Sequence, residues 1–199
     1  MKRRTTWALL ASAAAASAVL SSTLLAHAQT SGDPALARQL FREGRALAAD
    51  GHYEQACPKF EESLKQEAGV GTLFNLADCW EKIGRTASAW ARFLDASAGA
   101  KAAGQVDRER IARKRAAALE PKLSRLTIEV KTPESGLEVK RDSQPVGRAA
   151  WGTAVPIDPG VHVIEAWASG KKTWTTRVQL PANAATIAVT IAPLEDGAA

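Results

Sequence analysis

Two hydrophobic periods divide this chain. Across residues 33–120, apolar side chains recur every three or four positions in a background of Ala, Arg, Glu and Leu, as in amphipathic helices. Across residues 123–194, Val, Ile and Thr alternate with polar residues in short runs broken by Gly and Pro, as in β-strands. Pro121 disfavours helix at Glu120 and marks the boundary. The pattern predicts an α+β chain in two separate domains. The first is helical, with about five helices, and the second is a small antiparallel β-sandwich.

The helix signals are local. Asp33-Pro34 is an N-cap followed by proline in the first turn, and Asp50-Gly51 closes the helix that it opens. Further helices are predicted over Tyr53–Glu67, Thr72–Ile83 (ended by Gly84), Thr86 to about Ala98, and Gln105–Leu119. Ala68-Gly69-Val70-Gly71 reads as a loop, and Pro58 lies slightly inside the second helix. Strands are predicted over Leu126–Val130, Leu137–Arg141, Ala154–Ile157, Val161–Ala168, Thr173–Leu180 and Thr186–Ala192. Turns fall at Pro133–Gly136, Asp142–Pro145, Asp158–Gly160 and Ser169–Lys172. So few residues make a thin sandwich core, and Trp151, Trp167 and Trp174 are expected to thicken it.

Within the helical stretch, Gly51, Tyr53, Ala56 and Phe60 are matched 33 residues later by Gly84, Thr86, Ala89 and Phe93. A glycine ends one helix, a small residue lets two helices approach, and an aromatic fills the gap. A unit of this kind cannot bury its own apolar face and must stack on a neighbour. Leu40, Gly44 and Leu47 precede the first set, and Leu73, Leu76-Ala77 and Trp80 precede the second. Over about residues 34–98 the chain resembles tetratricopeptide repeats. It departs from them at Glu43, where Leu is usual, at Ala77 for the second glycine and at Thr86 for Tyr. The resemblance implies a concave surface lined by the first helix of each pair, which binds an extended protein segment. Its exposed positions would fall near Phe41, Arg45, Asn75 and Asp78. Asn75 matches a position that holds a peptide carboxylate in some members, but the lysines that complete such a clamp are not evident. A five-helix bundle without true repeats is the alternative arrangement.

Two repeats are few for a stacked array. The fifth helix could cover the open end, and the two cysteines could add a staple. Cys57 and Cys79 lie on the second and third helices, each 11 residues from residue 68 in the loop that joins them. Equal distances from the turn of an antiparallel pair put two residues at one height, which predicts a Cys57–Cys79 disulfide. Two buried free thiols are the alternative. Neither cysteine has a neighbouring His or Cys at metal-ligand spacing, so no metal site is expected.

The strand region resembles PEGA-type domains through Val139-x-x-Asp142, Val146-Gly147, Ala154-Val155-Pro156 and Pro159-Gly160-Val161-His162-Val163, with Ser143 in place of the turn glycine. That resemblance implies attachment or interaction outside a bacterial cytoplasmic membrane, with no established chemistry.

Charge and chemistry refine the picture. Met1-Lys2-Arg3-Arg4, an uncharged run to Ala28 and the ending Ala26-His27-Ala28 read as a secretory signal peptide (residues 1–28) cut after Ala28. A retained membrane anchor is the alternative. Cleavage removes three positive charges and lowers the formal net charge from +5 to +2. The protein is therefore expected in the periplasm or secreted, where cysteines oxidise. The remaining positive excess sits in residues 106–125, with Arg108, Arg110, Arg113, Lys114 and Arg115 among them. An anionic envelope polymer, lipid headgroups or nucleic acid are the partners such a segment would suit. Yet the five scatter around a helix axis with no aromatics between them, which also fits a solvated helix and disfavours nucleic acid.

His162 follows Pro-Gly at a strand start, with no carboxylate or nucleophile tied to it by motif, and reads as structural. The chain has no G-x-S-x-G and no Gly-rich phosphate loop, so no catalytic residue and no cofactor are assigned. The leading expectation is an exported, non-catalytic interaction scaffold or adaptor of the cell envelope. A structural envelope component whose sandwich binds peptidoglycan or another glycan is the second reading. A hydrolase reading has the least support.

Overall fold

The computed structural model describes residues 32–197, and the expected signal segment lies outside them. Five helices come first: α1 (Pro34–Ala49), α2 (Tyr53–Gln66), α3 (Val70–Lys82), α4 (Thr86–Ala102) and α5 (Val106–Leu119). Seven strands follow: β1 (Arg125–Val130), β2 (Glu138–Arg141), β3 (Gln144–Pro145), β4 (Val155–Pro156), β5 (Gly160–Trp167), β6 (Trp174–Leu180) and β7 (Thr186–Ile191). The α+β layout read from the sequence is the one observed. No described helix is long and apolar enough to cross a membrane.

The Asp33 carboxylate accepts from Ala35 N at 2.8 Å and Leu36 N at 3.1 Å, so α1 starts at its N-cap. Gly51 (φ +80°) ends it in a left-handed conformation, with His52 N donating to Leu47 O at 2.8 Å. The same device recurs at the end of α3, where Gly84 has φ +78° and Arg85 N donates to Trp80 O at 2.8 Å. The 68–71 loop is shorter than expected. Gly69 is extended at the N-cap, and Val70 and Gly71 are already helical.

The 33-residue offset holds in space. Phe60 on α2 meets Phe41 on α1, with ring centroids 5.9 Å apart. Phe93 on α4 meets Phe74 on α3 at 6.1 Å. Phe60 and Phe93 are both fully buried in one helical core with Leu76, Trp80, Ala116 and Leu119. Burying each ring contributes on the order of 3 kcal/mol. A Cβ at Gly44 would lie 2.8 Å from the Phe60 ring, so α1 can close on that ring only because residue 44 has no side chain. The Cys57–Cys79 disulfide is present, joining α2 to α3 with both residues buried and their Cα atoms 5.6 Å apart. Helix α5 covers the end of the bundle through Ala116 and Leu119.

The strands form a three-stranded sheet, β4-β1-β7, and a four-stranded sheet, β3-β2-β5-β6. Side chains of both sheets, including Leu126, Ile128, Val139, Ile164, Leu180 and Ile191, share a second core. Three details differ from the sequence reading. First, β1 and β7 pair in parallel, from Arg125 opposite Thr186 to Val130 opposite Ile191, because β7 crosses from the other sheet and enters at the end where β1 enters. Second, the turn after β2 is tighter: Asp142 (φ +49°) and Ser143 (φ +66°) form it alone, and Gln144-Pro145 pairs back on β2 as β3, a short strand beyond the six expected. Third, Trp151 and Trp174 pack against the core, but Trp167 does not. Alternation along β5 turns Ile164 and Ala166 inward and puts Trp167 on the other face, where the Lys140 ammonium sits 4.5 Å from its ring centroid.

Candidate functional site: a groove between the first and third helices

Helix α1 presents Arg38, Phe41, Arg42 and Arg45 at intervals of three and four residues, hence along one face. That face borders two clefts with no lining residue in common. One, of about 290 Å³, is lined by Arg38, Phe41, Arg42, Ser63, Glu67 and Thr72 among others. The other, of about 470 Å³, is lined by Arg45, Tyr53, Asn75, Asp78, Lys82 and Arg115 among others. Together they run along the groove between α1 and α3.

The four residues expected to contact a partner all line this groove. Arg45, Asn75 and Asp78 share the larger cleft, and Phe41 lies in the smaller one. Phe41 also leans its ring on Phe60, so it serves the core as well as the surface. The Asn75 side-chain amide donates from Nδ2 to Gly71 O at 2.8 Å, which fixes its plane and leaves Oδ1 to accept. Burial pushes the Asp78 carboxyl above its ordinary pKa, against the pull of Arg115 2.6 Å away.

Arg115 does not belong with the outward basic set. It crosses from α5 to bind Asp78 at 2.6 Å and Glu81 at 2.8 Å, and its guanidinium sits 4.7 Å from the Phe93 ring centroid. Desolvation lowers its pKa, but its bonds to Glu81 and Asp78 outweigh that and raise it. Arg110, Arg113 and Lys114 do lie together, along an outward cleft on α5 with Val106 and Ala117. The five expected basic residues thus form no single stripe, though these three do. Arg110 and Arg113 are engaged by Asp107 at 3.1 Å and Glu109 at 3.7 Å on the same helix, and Arg108 bonds Gln105.

Sequence reasoning missed Arg38, Arg42, Tyr53 and Lys82 as groove residues. The i, i+4, i+7 spacing of Arg38, Arg42 and Arg45 was the available signal for two of them. Among the described residues, Arg38, Arg42, Arg45 and Lys82 make no ion pair. The cations lining the two clefts (Arg38, Arg42, Arg45, Lys82 and Arg115) outnumber the carboxylates (Glu67 and Asp78), so the groove is net positive, and Asp78 is held by Arg115.

A second polar cluster joins helices to sheets. Helix α4 has no side-chain cap of its own. Asp158, from the turn between β4 and β5, supplies one. Its Oδ1 accepts from Ser88 N at 2.8 Å, and its Oδ2 accepts from Ser88 Oγ at 2.5 Å and Arg85 Nε at 3.1 Å. Arg85 in turn stacks on Trp80 at 4.5 Å and reaches Glu61, which also accepts from Trp80 Nε1 at 2.9 Å. His162 braces the turn from the sheet side. Its Nδ1 lies 2.7 Å from Asp142 Oδ2 and its Nε2 donates to the Asp158 carbonyl oxygen at 2.8 Å. Both ring nitrogens thus have partners, and Ser88 Oγ donates to the Asp158 carboxylate. The cluster is arranged for docking one part of the chain on the other. Burial raises the Asp142 pKa, but the bonds from His162 and Val163 N outweigh it and hold this carboxyl below its ordinary value.

Comparison with protein-family models finds none that matches this chain. Comparison with curated proteins finds no match either.

Proposed function

We propose that this chain is a non-catalytic interaction scaffold or adaptor exported to the bacterial cell envelope. Its paired, tetratricopeptide-like helical hairpins would hold a protein segment along the α1–α3 groove, and its PEGA-like sandwich would face envelope material. One observation carries the reading: Arg45, Asn75 and Asp78, selected from the repeat pattern alone, line one cleft of about 470 Å³. A groove between two helices that are tied through α2 by a disulfide is a rigid, preformed surface, and rigidity reduces the entropic cost of binding.

The reading is tested in bacteria exporting the full chain, with a photo-crosslinking amino acid placed at Arg45 or, as a control, at Ser143 in the exposed β2–β3 turn. Discrete protein adducts from the Arg45 position and none from Ser143 are expected. Equal labelling from both positions, or none from Arg45, would remove the groove as the binding surface. Mass analysis of the exported chain should give an N-terminus at Gln29. An intact N-terminal segment would replace the exported form with an anchored one.

A further inference from the structure

We infer that the α1–α3 groove takes an extended peptide segment rich in acidic side chains. The inference rests on the groove's being a protein-binding surface and goes beyond that by naming what it reads. Four cations border the groove without an ionic partner among the described residues: Arg38, Arg42 and Arg45 on α1, and Lys82 on α3. On α5, Arg110 and Arg113 are paired with Asp107 and Glu109 on the same helix, while Arg108 and Lys114 have no ionic partner among the described residues. Of the carboxylates near the groove, Asp78 and Glu81 are held by Arg115, at 2.6 and 2.8 Å, and Glu67 in the smaller cleft is outnumbered there by Arg38 and Arg42. Charge complementarity therefore selects a negatively charged occupant.

The spacing selects a peptide. At a rise of about 1.5 Å per residue, Arg38, Arg42 and Arg45 stand roughly 6 and 4.5 Å apart along α1. Side chains on one face of an extended strand repeat at roughly 6.7 Å. A segment with carboxylates at alternate positions can therefore address successive arginines. The half-buried Phe41 ring lies on the same face of α1 as these arginines and can take the methylene groups of the acidic side chains. Asn75 Oδ1 is free to accept a peptide N–H. A polyanion without a peptide backbone has no use for these last groups.

The test is fluorescence anisotropy with the full mature chain and labelled peptides alternating Glu with Leu, the same peptides with Gln for Glu, and inorganic polyphosphate. The acidic peptide is expected to bind at least tenfold more tightly than its Gln counterpart, equally well with an amidated C-terminus, and more weakly as salt rises. The triple variant Arg38→Gln/Arg42→Gln/Arg45→Gln should lose that tenfold. These three side chains are exposed and unpaired among the described residues, and circular dichroism should report an unchanged fold. The charge-matched control Arg110→Gln/Arg113→Gln/Lys114→Gln should bind as the parent does. Equal binding of the Glu and Gln peptides would overturn the inference and leave the groove as a peptide site. Equal loss in both triple variants would reduce the effect to net charge. Polyphosphate binding as tight as the acidic peptide, with the same variant sensitivity, would overturn the peptide in favour of a polyanion. Binding of no peptide of either kind would remove the groove reading as well.

Discussion

In the first helical hairpin, Gly44 lies against the Phe60 ring with no side chain between them, and α1 and α2 are tied by the Glu43–Lys59 pair at 2.7 Å. In the second hairpin, Ala77 stands at the position equivalent to Gly44, and the polar ties lead outward: Arg115 arrives from α5 to Asp78 and Glu81, and Asp158 arrives from the sheets to cap α4. The wedge is the same, Phe60 on Phe41 and Phe93 on Phe74. The surroundings differ. The second hairpin is embedded, with its charges used to hold α5 and the sheet domain. The first is terminal among the described elements, with its arginines unspent. The two hairpins share a core arrangement, and they differ in what their surface charges bond.

The largest expected effect breaks the shared wedge. Phe60→Ala and Phe93→Ala should each lower unfolding stability by about 3–5 kcal/mol in urea melts. The Phe93 change should also loosen α5, because Arg115 rests on that ring. Faster hydrogen exchange in α5 for Phe93→Ala than for Phe60→Ala would sharpen the distinction, and identical exchange would erase it. Next is the staple between hairpins. The paired change Cys57→Ser/Cys79→Ser opens a link spanning 22 residues and should cost about 3 kcal/mol.

Smaller still is the borrowed cap. Asp158→Ala removes the carboxylate from the α4 N-terminus and should cost about 1–2 kcal/mol. Exchange should rise locally at Ser88, while α1 and α2 stay protected. If α2 responded as strongly as α4, the second hairpin would not be the docking one. The smallest effect concerns Asp142. Its folded pKa lies below the ordinary carboxylate value, so its contribution is complete above the ordinary range and is lost as pH falls through the lowered value. The melting-temperature gap between the parent and Asp142→Asn should therefore narrow on acidification. A gap unchanged with pH would mean that the carboxylate's charge plays no part in bracing the sheet turn.

Much of this layout was written in local sequence. Asp33-Pro34, Gly51 and Gly84 delimit helices where capping chemistry requires, and the 33-residue offset located both wedges. What local pattern did not carry was set by distant partners. Val70 is helical, not looped, and its side chain packs close over Gly99, where an added Cβ would lie 3.2 Å from Val70 Cγ2. Asp158 read only as a turn residue, because Ser88 is 70 positions away. Arg115 read as one more outward cation, because nothing near it in sequence announces Asp78. The parallel pairing of β1 with β7 joins the first and last strands, beyond the reach of any hairpin signal. Candidate groove residues were legible through the repeat resemblance, but the net charge of the groove emerged only once the paired and unpaired cations could be told apart.

Whether α1 and α3 together form a binding face can be read residue by residue. The most direct measurement is a map of backbone amide shifts as the mature chain is titrated with the alternating acidic peptide. Binding along this groove should perturb Arg38 to Ala49 and Thr72 to Lys82 and leave β6 and the outer face of α5 unmoved. Perturbations centred on Arg110, Arg113 and Lys114, or on the sheets, with α1 silent, would contradict it.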